Sequence, residues 1–508
     1  MNLNPIDILV IIAYMGCLSL IGIYFSRRQK SRDEYFLGDR KVFWFLAGGS
    51  VLATILSTIS YLSVPGEVIR YGFAYCFGLI VAPLVIPIVN RILIPTIKGL
   101  EITSAYEYVG RRFDRGTGTL ASTLFVFRTL IWSGIIIYTA SFAFSEISGL
   151  GLFTTIILLG IITTFYTSVG GFRTVIWTDN LQLWILLAGA LSIPIYVYYL
   201  VGTGPMGWWE TFSEAGRGEM QVFSFDPTVR ITIVGIMLNI LFWNICANGG
   251  DQVAIQRYLS TPSVKAARRS VWVYAWSNVV LYTTLAICGL ALFAFYAHIS
   301  NLPVAEFQAK IAPEGDRLMP RFIAQQLPTG VSGLVMAALL SAAMSSLSSA
   351  INSISGVLTT HFGGRRKGSR RGLLLDKGVA AGAGVLGIGV AVIIAVVMSR
   401  TDWNILDLSG RVNDVFVGPI AVLFFGGILF RRVGPQAILL GFFLAASVSL
   451  FVSFSKEWFG MERAISWMWG IPFSFTLGMI VAGLGGFLFR RPSPEKIQGL
   501  TFGDRKRT

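Results

Sequence analysis

Apolar residues fall in long runs along this chain, and short charged loops separate the runs. Runs of about 20 residues are the length that an α-helix needs to cross the hydrocarbon core of a bilayer. The fold class predicted from this pattern is an all-α membrane protein. It predicts 13 transmembrane helices, at 5–25, 42–70, 74–95, 118–147, 151–169, 174–201, 229–256, 267–298, 320–360, 373–398, 406–430, 434–455 and 465–489.

Two of these predicted helices contain residues that interrupt a helix. The second has Pro65-Gly66 after a stretch of hydroxyl residues, and the seventh has Gly249-Gly250 within the segment 244–251. Lipid cannot satisfy the backbone groups freed at a break, so breaks are expected only where they line a cavity. Two broken helices five spans apart indicate two five-helix repeats of inverted topology with a transport site between them. A purely structural kink is the alternative for either break taken alone.

The ninth predicted helix is unusually rich in hydroxyl groups. Five serines fall within nine residues, from Ser341 to Ser349. Three of them, Ser345, Ser348 and Ser349, share one helix face, because residues three and four apart lie one above the other. Such oxygen ligands suit an alkali cation. The alternative is ordinary helix packing, which small residues also serve.

Composition excludes several classes of protein. Hydrophobic residues make up 54% of the chain and charged residues only 13%, about half the charge of a soluble domain. The four cysteines lie in apolar segments without CxxC spacing, and there are only two histidines. A disulfide framework, a zinc site or a metal-dependent enzyme is therefore not indicated. The first apolar run is interpreted as a retained helix and not as a signal peptide.

The net charge of +15 is a topology signal here and does not indicate a nucleic-acid partner. Most of the Lys and Arg residues lie in alternate loops, which the positive-inside rule places in the cytoplasm, with the N-terminus outside and the C-terminus inside. The predicted organisation is an extra helix and loop (1–41), a first repeat (42–201), an external loop (202–228), a second repeat (229–430), two further helices (431–489) and a cytoplasmic tail (490–508).

Several motifs resemble the sodium:solute symporter family. They are Gly170–Gln182 after the fifth predicted helix, Asp251–Leu259, the serine-rich ninth helix, and Asp7–Arg27 with Tyr35-Phe-Leu-Gly38. The resemblance runs over nearly the whole chain. It implies inverted repeats formed by helices 2–6 and 7–11, in agreement with the count above, and a bacterial inner membrane location.

The resemblance also implies cation sites. A first sodium ion would be bound by carbonyls of Ala53, Leu56 and Ala342 and by the hydroxyls of Ser345 and Ser346. A second sodium ion, as in bacterial sialic acid symporters, would be bound by Asp179, Ser345, Ser348 and Ser349. Asp179 as a simple helix cap is the alternative. Sodium ions are the expected cofactors, and no organic cofactor is expected.

Arg128 is the candidate for substrate recognition. It lies about ten residues into the fourth predicted helix and is interpreted as the only basic residue deep in an apolar run. A guanidinium there is costly unless it is paired or faces water, and its planar fork fits a carboxylate. The segment Pro65–Gly72 resembles the monocarboxylate, multivitamin, iodide and sialic acid branch, which favours anions. A snorkelling or structurally paired Arg128 is the alternative.

The remaining cavity wall is predicted from residues near the two breaks. Besides Arg128, the candidate substrate-binding residues are Ser57, Ser60, Phe73, Tyr75, Asn244, Asn248 and Gln252. Most aromatic residues of a membrane protein serve packing or the interfacial belt. Glu67 and Arg70 are expected to be charges of an outer vestibule that pair with each other.

These predictions together favour a sodium-coupled importer of a small carboxylate-bearing anion, working by alternating access with two sodium ions per cycle. A symporter of a neutral sugar or polyol is the nearest alternative. A membrane sensor, channel or membrane enzyme is disfavoured, because there is no signalling domain or nucleophile–base set and the broken helices favour a carrier. The expected partners are a small-molecule substrate and the lipid bilayer, and the solute and oligomeric state stay open.

Overall fold

A computed structural model of the chain describes residues 4–27, 32–100, 102–300, 302–311, 314–361, 370–401 and 405–502. Within these ranges the regular secondary structure is entirely helical. The basic residues predicted at 28, 30, 365–367 and 505–507 to lie in cytoplasmic loops or the tail fall outside the described residues.

The first part of the chain forms ten α-helices. They are α1 (Pro5–Ser26), α2 (Arg32–Leu37), α3 (Trp44–Ile55), α4 (Thr58–Tyr71), α5 (Val85–Ile88), α6 (Ile94–Lys98), α7 (Ala105–Arg112), α8 (Arg115–Ser148), α9 (Leu152–Val201) and α10 (Pro205–Glu214). Short 3₁₀ or π segments lie at Gly38–Arg40, Phe73–Leu84 and Val89–Leu93.

The second part forms ten more. They are α11 (Ile233–Gly250), α12 (Gln252–Ser260), α13 (Val264–Ser300), α14 (Val304–Ile311), α15 (Gly315–Gln325), α16 (Val331–His361), α17 (Arg370–Met398), α18 (Ile405–Leu429), α19 (Pro435–Ser453) and α20 (Gly470–Leu488). Single 3₁₀ turns lie at Trp467–Trp469 and Pro494–Lys496.

The number of membrane-crossing helices is close to the prediction. In the described ranges, 11 helices are long and apolar enough to cross a membrane, and up to 12 if the bent pair α3 and α4 forms one span. Helix α9 has 50 residues and is interrupted at Gly171, where φ is 65°. A continuous helix of this size would be about 75 Å long, more than twice the hydrocarbon core. The sequence predicted two helices here, and the count of 13 stays a prediction.

Two predicted helices differ from the structure. The ninth, at 320–360, is divided into α15 and α16 by a turn in which Gly330 has a φ of 86°. The third, at 74–95, is a succession of 3₁₀, α and π turns. Proline lacks a backbone N–H, and Pro83 and Pro95 within this stretch interrupt the regular α-helical hydrogen bonds. Hydrophobic periodicity detects the length of such segments but not their helix type.

Helix α16 is the buried centre of the bundle. In its apolar stretch 94% of the residues are buried, compared with 28% in the neighbouring α17. It packs against α1, α3, α8, α9 and α17. Its many Ser and Ala residues allow this close approach of backbones. On the outer faces of α1 and α20, large apolar residues such as Leu9, Leu20 and Phe487 are exposed, as expected for surfaces in contact with lipid.

Candidate functional site

The chain bends by 62° between α3 and α4, at the first predicted break. Helix α3 ends at Ile55, and Leu56 has extended backbone angles. Ser57 then caps α4, because its side-chain oxygen accepts a hydrogen bond from the backbone N–H of Ile59 at 3.2 Å. The last carbonyls of a helix lack partners within the helix. The bend therefore presents several buried carbonyl oxygens to the neighbouring helix.

The serines of α16 lie against these carbonyls. Ser345 Oγ is 2.7 Å from the carbonyl oxygen of Ala53 and 3.3 Å from that of Ala342. Ser346 Oγ is 2.7 Å from the carbonyl oxygen of Thr54 and 3.5 Å from that of Leu56. The structure thus brings together all five oxygens predicted for the first sodium ion. We call this group, Ala53, Leu56, Ala342, Ser345 and Ser346, the oxygen cluster.

Asp179, predicted for a second sodium ion, lies in a fully buried network beside this cluster. Its Oδ2 accepts hydrogen bonds from Ser50 at 2.5 Å and Thr54 at 3.3 Å, and lies 3.3 Å from the guanidinium of Arg257. Arg257 also donates to Ser349. The other carboxylate oxygen of Asp179, Oδ1, is buried without a hydrogen-bond partner among the described residues. Protein groups therefore bind one oxygen of the carboxylate, while the other oxygen is buried and has no partner among the described residues.

The other predicted member of the second site is Ser348. Its Oγ donates to the carbonyl of Ser345 at 3.1 Å, which places it one turn along α16 from the oxygen cluster.

Arg128 is not the only buried arginine among the residues that the structure describes. Arg112 and Arg257 are both 0% exposed. Arg257 lies in α12, one residue beyond the predicted boundary of the seventh helix at 256, and no role was predicted for it. Asp251, six residues before it in the same motif, was likewise not assigned a role.

One cavity between the described helices has an empty volume of about 780 Å³, which includes space open to solvent. We call it the main cavity. Of the predicted substrate-binding residues, Ser60, Tyr75 and Asn244 line it. Its other polar and aromatic lining residues are Trp132, Asn239, Trp243, Asn278, Tyr282, Ser409, Asn413, Asp414 and Trp467.

Arg128 lines a neighbouring cavity of about 540 Å³. The two cavities share the side chains of Ile55, Trp132 and Trp243 as a common wall. The guanidinium forms an ion pair with Asp251, and its Nη2 is 3.3 Å from Asn413 Oδ1. The charge of Arg128 is thus balanced by a protein carboxylate in this structure, while its Nε is buried with no partner among the described residues.

The second break lies at this ion pair. Helix α11 ends at Gly250, and Asp251 has extended backbone angles before α12 begins. Asp251 caps α12 by accepting a hydrogen bond at Oδ1 from the N–H of Val253, at 2.9 Å. The ring of Phe425 occupies the space where a Cβ at Gly249 would lie, so a side chain does not fit at this position.

Four predicted substrate-binding residues lie outside the lining of both cavities. Ser57 caps α4, as described above. Phe73 packs against the rings of Trp209 and Phe212, with centroids 5.6 and 5.5 Å away. The carbonyl oxygen of the Asn248 amide accepts from Tyr258 at 2.7 Å.

The fourth, Gln252, accepts at Oε1 from the N–H of Ala105 at 2.6 Å and donates to the carbonyl of Thr103. A polar or aromatic side chain near a break was the only sequence signal for these four residues. It does not distinguish a side chain that faces a cavity from one that is bonded to protein.

The predicted pairing of Glu67 with Arg70 is wrong. Arg70 pairs with Asp316 at 3.1 Å, while Glu67 pairs with Arg230, which is also 3.2 Å from Asp407. Burial raises the pKa of Asp316 above its ordinary value, against the opposing effect of Arg70. These ion pairs connect α4 to α15, to the segment before α11 and to the start of α18. Long-range partners of this kind cannot be read from spacing along one helix.

Comparison with known proteins identifies the family. The profile of the sodium:solute symporter family matches residues 35–444. The chain belongs to this family. The sodium/sialic acid symporter SiaT of Proteus mirabilis is 30% identical over 463 residues, which cover 89% of this chain and 90% of that protein. The human sodium-coupled monocarboxylate transporter 1 is 28% identical over 463 residues, 89% of this chain and 73% of that protein.

A solved structure agrees with the fold. A sodium-coupled sialic acid symporter in a substrate-bound outward-open state matches with a TM-score of 0.83 and 26% identity, over 96% of this chain and 99% of that one. The predicted all-α, inverted-repeat symporter fold is confirmed by this match. The chain is therefore a sodium-coupled symporter of a small molecule and a multi-pass membrane transporter, and not an enzyme.

Proposed function

We propose that this symporter imports a small organic solute bearing a carboxylate, by alternating access, with two sodium ions per cycle. The observation that carries the proposal is the oxygen cluster at the first helix break. Unwound carbonyls and helix ends are where carriers of broken-helix architecture bind coupling ions. Here carbonyls from the end of α3 and from the break itself meet two hydroxyls of α16.

The first sodium ion would bind within the oxygen cluster. In the structure, the hydroxyl of Ser345 donates to the carbonyl of Ala53, and the hydroxyl of Ser346 donates to the carbonyl of Thr54. A sodium ion between these oxygens would replace those protons as the electropositive partner, and each hydroxyl would rotate to direct a lone pair at the ion.

The second sodium ion would bind at Oδ1 of Asp179, together with the hydroxyls of Ser345, Ser348 and Ser349. Its support is the buried, unpartnered Oδ1, since an unsatisfied carboxylate oxygen is costly in an apolar interior. Arg257 already neutralises the carboxylate through Oδ2 and donates to Ser349. Sodium binding at this position would therefore compete with Arg257 for Ser349. A related sialic acid symporter is described as having a novel sodium site, which also supports a second ion.

The solute carboxylate would bind at Arg128. The named substrates of the two relatives above are sialic acid and a monocarboxylate, and both kinds of molecule bear a carboxylate. Arg128 presents an unpartnered Nε beside the cavity wall that Trp132 and Trp243 form. A carboxylate can bind this edge of the guanidinium while Asp251 holds another.

Energetics make two ions useful for an anion. A potential of about 100 mV contributes ~2.3 kcal/mol per charge, and a tenfold gradient contributes ~1.4 kcal/mol. Two ions then supply about 7 kcal/mol, of which a monoanion returns ~2.3 kcal/mol.

We further propose that the protein lies in a bacterial inner membrane with its N-terminus outside. The ends of α4 and α18 that carry Glu67 and Asp407 would then face the exterior.

The test is uptake by the purified, reconstituted protein under an inward sodium or potassium gradient, over carboxylates, sugars and vitamins. Wild type is compared with Arg128→Ala and Ser345→Ala. The control is Thr359→Val, since among the described residues that hydroxyl bonds only the carbonyl of Ser355 on its own helix, at 2.7 Å. We expect sodium-dependent uptake of a carboxylate that both site variants lose and the control keeps. Sodium-dependent uptake of a neutral sugar that survives Arg128→Ala would contradict the carboxylate assignment.

A further inference from the structure

One charged residue of the main cavity has no part in the function proposed above. Asp414 lies in the middle of α18, is 1% exposed and lines the main cavity. Its carboxylate makes no hydrogen bond or ion pair with any residue that the structure describes, and Oδ2 is buried without a partner. The backbone around it is held in place, because Ser449 donates to its carbonyl oxygen at 2.7 Å.

The nearby cations are bound elsewhere. Arg411, one turn earlier on α18, is paired with Glu457 at 2.9 Å and donates to the carbonyl of Ser453. Arg128 is paired with Asp251. Asp414 is therefore an acidic group of the main cavity that has no cationic partner among the described residues. An ionised carboxylate in the membrane interior is costly without a partner, and such residues mark functional positions.

The surroundings of Asp414 favour a cationic nitrogen as that partner. The cavity wall contains three indole rings, Trp132, Trp243 and Trp467. Trp467 lies against α18 one turn before Asp414, since a Cβ on Gly410 would be 3.0 Å from its ring. Indole is the best aromatic partner for a cation, and aromatic cages are the usual receptors for ammonium and quaternary ammonium groups. A carboxylate with indole walls thus combines charge pairing with cation–π attraction.

The residues proposed for the carboxylate and for the ammonium group are connected through Asn413, which lines the main cavity. Asn413, adjacent to Asp414 on α18, accepts a hydrogen bond from Arg128 at 3.3 Å. Neighbouring Cα atoms are about 3.8 Å apart, so the stretch of α18 that contacts Arg128 also carries Asp414. Asp414 is also enclosed from the other side, because a side chain on Gly470 would collide with its carboxyl group.

We propose that Asp414 binds a positively charged nitrogen of the transported solute, so that the solute is a zwitterion with its carboxylate at Arg128 and its ammonium group at Asp414. This inference rests on the proposed function, since it takes the carboxylate site as given. A zwitterion carries no net charge, so the membrane potential does not oppose its entry and the sodium gradient acts on it in full.

The test compares matched solutes that differ in the charged nitrogen. Proteoliposomes of the full chain, under an inward sodium gradient, are offered three pairs: glycine betaine and 3,3-dimethylbutanoate, L-proline and cyclopentanecarboxylate, and L-alanine and L-lactate. We expect a zwitterion to enter at least about tenfold faster than its partner, because a polar site rejects an analogue that leaves it unpaired. Asp414→Asn should abolish this preference, and Asp414→Glu should keep its direction.

Folding is checked by the sodium-induced rise in melting temperature. Asp414→Asn should match wild type and Thr359→Val in this shift, because the oxygen cluster lies on other helices. Sodium-driven uptake of lactate or sialate that equals or exceeds every zwitterion and is unchanged by Asp414→Asn would overturn the inference while leaving the proposed function intact. The inference would also be overturned if none of the zwitterions entered the proteoliposomes. It would be overturned as well if uptake were driven by protons and this uptake were lost in Asp414→Asn. No sodium shift and no sodium-driven uptake in wild type would instead contradict the proposed function.

Discussion

The two helix breaks use the same backbone device with different chemistry. In each, extended backbone separates two helices, at Leu56 and Ser57 in the first break and at Asp251 in the second, and a polar side chain caps the second helix: Ser57 for α4 and Asp251 for α12. At the first break the cap is neutral, and the freed carbonyls meet the serines of α16. At the second the cap is a carboxylate, which pairs with Arg128. The first break therefore offers partial charges to a mobile ion, and the second fixes a full charge.

The difference indicates a division of labour between the breaks. A site made of carbonyls and hydroxyls can be filled or emptied without leaving a buried charge behind. An Asp–Arg pair is costly to separate and is suited to orienting a solute. Arg257 connects the two, because it lies on α12 beyond the second break and binds Ser50 and Thr54 of α3, before the first break.

Loss of that connection should have the largest effect. Arg257→Ala leaves Asp179 buried without its cation, and breaking a buried ion pair costs about 3–5 kcal/mol. We expect a loss of this size in the free energy of unfolding in detergent, with loss of transport. The double variant Arg257→Met with Asp179→Leu leaves neither charge buried and should regain most of the stability. Equal destabilisation in the single and double variants would show that the charges are not what couples α12 to α3.

Asp251→Ala should have the next largest effect. The variant removes the cap of α12 and leaves Arg128 without its carboxylate. The pair is partly exposed, at 9% and 15% for the two side chains, so the expected loss of stability is about 2–3 kcal/mol. Asp251→Asn, which keeps the cap and removes the charge, separates the two contributions. If Asn restores full stability and full carboxylate uptake, the charge at the second break has no role.

The two serines proposed for different ions should behave differently. Ser346→Ala removes a ligand of the first ion only, and we expect sodium half-saturation of uptake to rise about tenfold, equivalent to ~1.4 kcal/mol. Ser348→Ala removes a ligand of the second ion only, and should lower the Hill coefficient for sodium from near two toward one. The measurement is solute uptake as a function of sodium concentration. Identical effects of the two substitutions would contradict two separate sites.

Ser57→Ala should have the smallest effect. Loss of an N-cap costs about 1 kcal/mol, and Ser57 lines neither cavity. We expect a slightly lower melting temperature and an unchanged KM for the solute. A large rise in KM with unchanged stability would return Ser57 to the substrate site, where the sequence placed it. Ser60→Ala is the comparison, since Ser60 does line the main cavity and its loss should raise KM.

The fold was largely predictable from the sequence because its causes are local. Long apolar runs determine helices, and Pro65-Gly66 and Gly249-Gly250 mark the two broken helices. The breaks themselves lie at Leu56 and Asp251, a few residues away from these markers. The oxygen cluster could also be predicted, because the family motifs that supplied Ala53 and Ser345 are themselves short and local.

Pairings across the bundle could not be predicted in the same way. The clearest cases are Asp251, Arg257 and Asp414. The first two have partners on helices more than 100 residues away in the chain, and the third lines a cavity that several helices form. Ionisable residues inside a membrane helix usually mark functional positions. Asp414 lies inside the predicted helix 406–430, so this rule singles it out in the same way as Arg128.

The central claim is that the first break and α16 together hold a coupling sodium ion. Equilibrium binding of ²²Na⁺ to purified protein tests it most directly, in wild type, in the double variant Ser345→Ala with Ser346→Ala, and in the Thr359→Val control. The account predicts saturable binding of two ions per chain in wild type and control, with loss of high-affinity binding in the double variant. Wild-type sodium binding in the double variant would contradict the account.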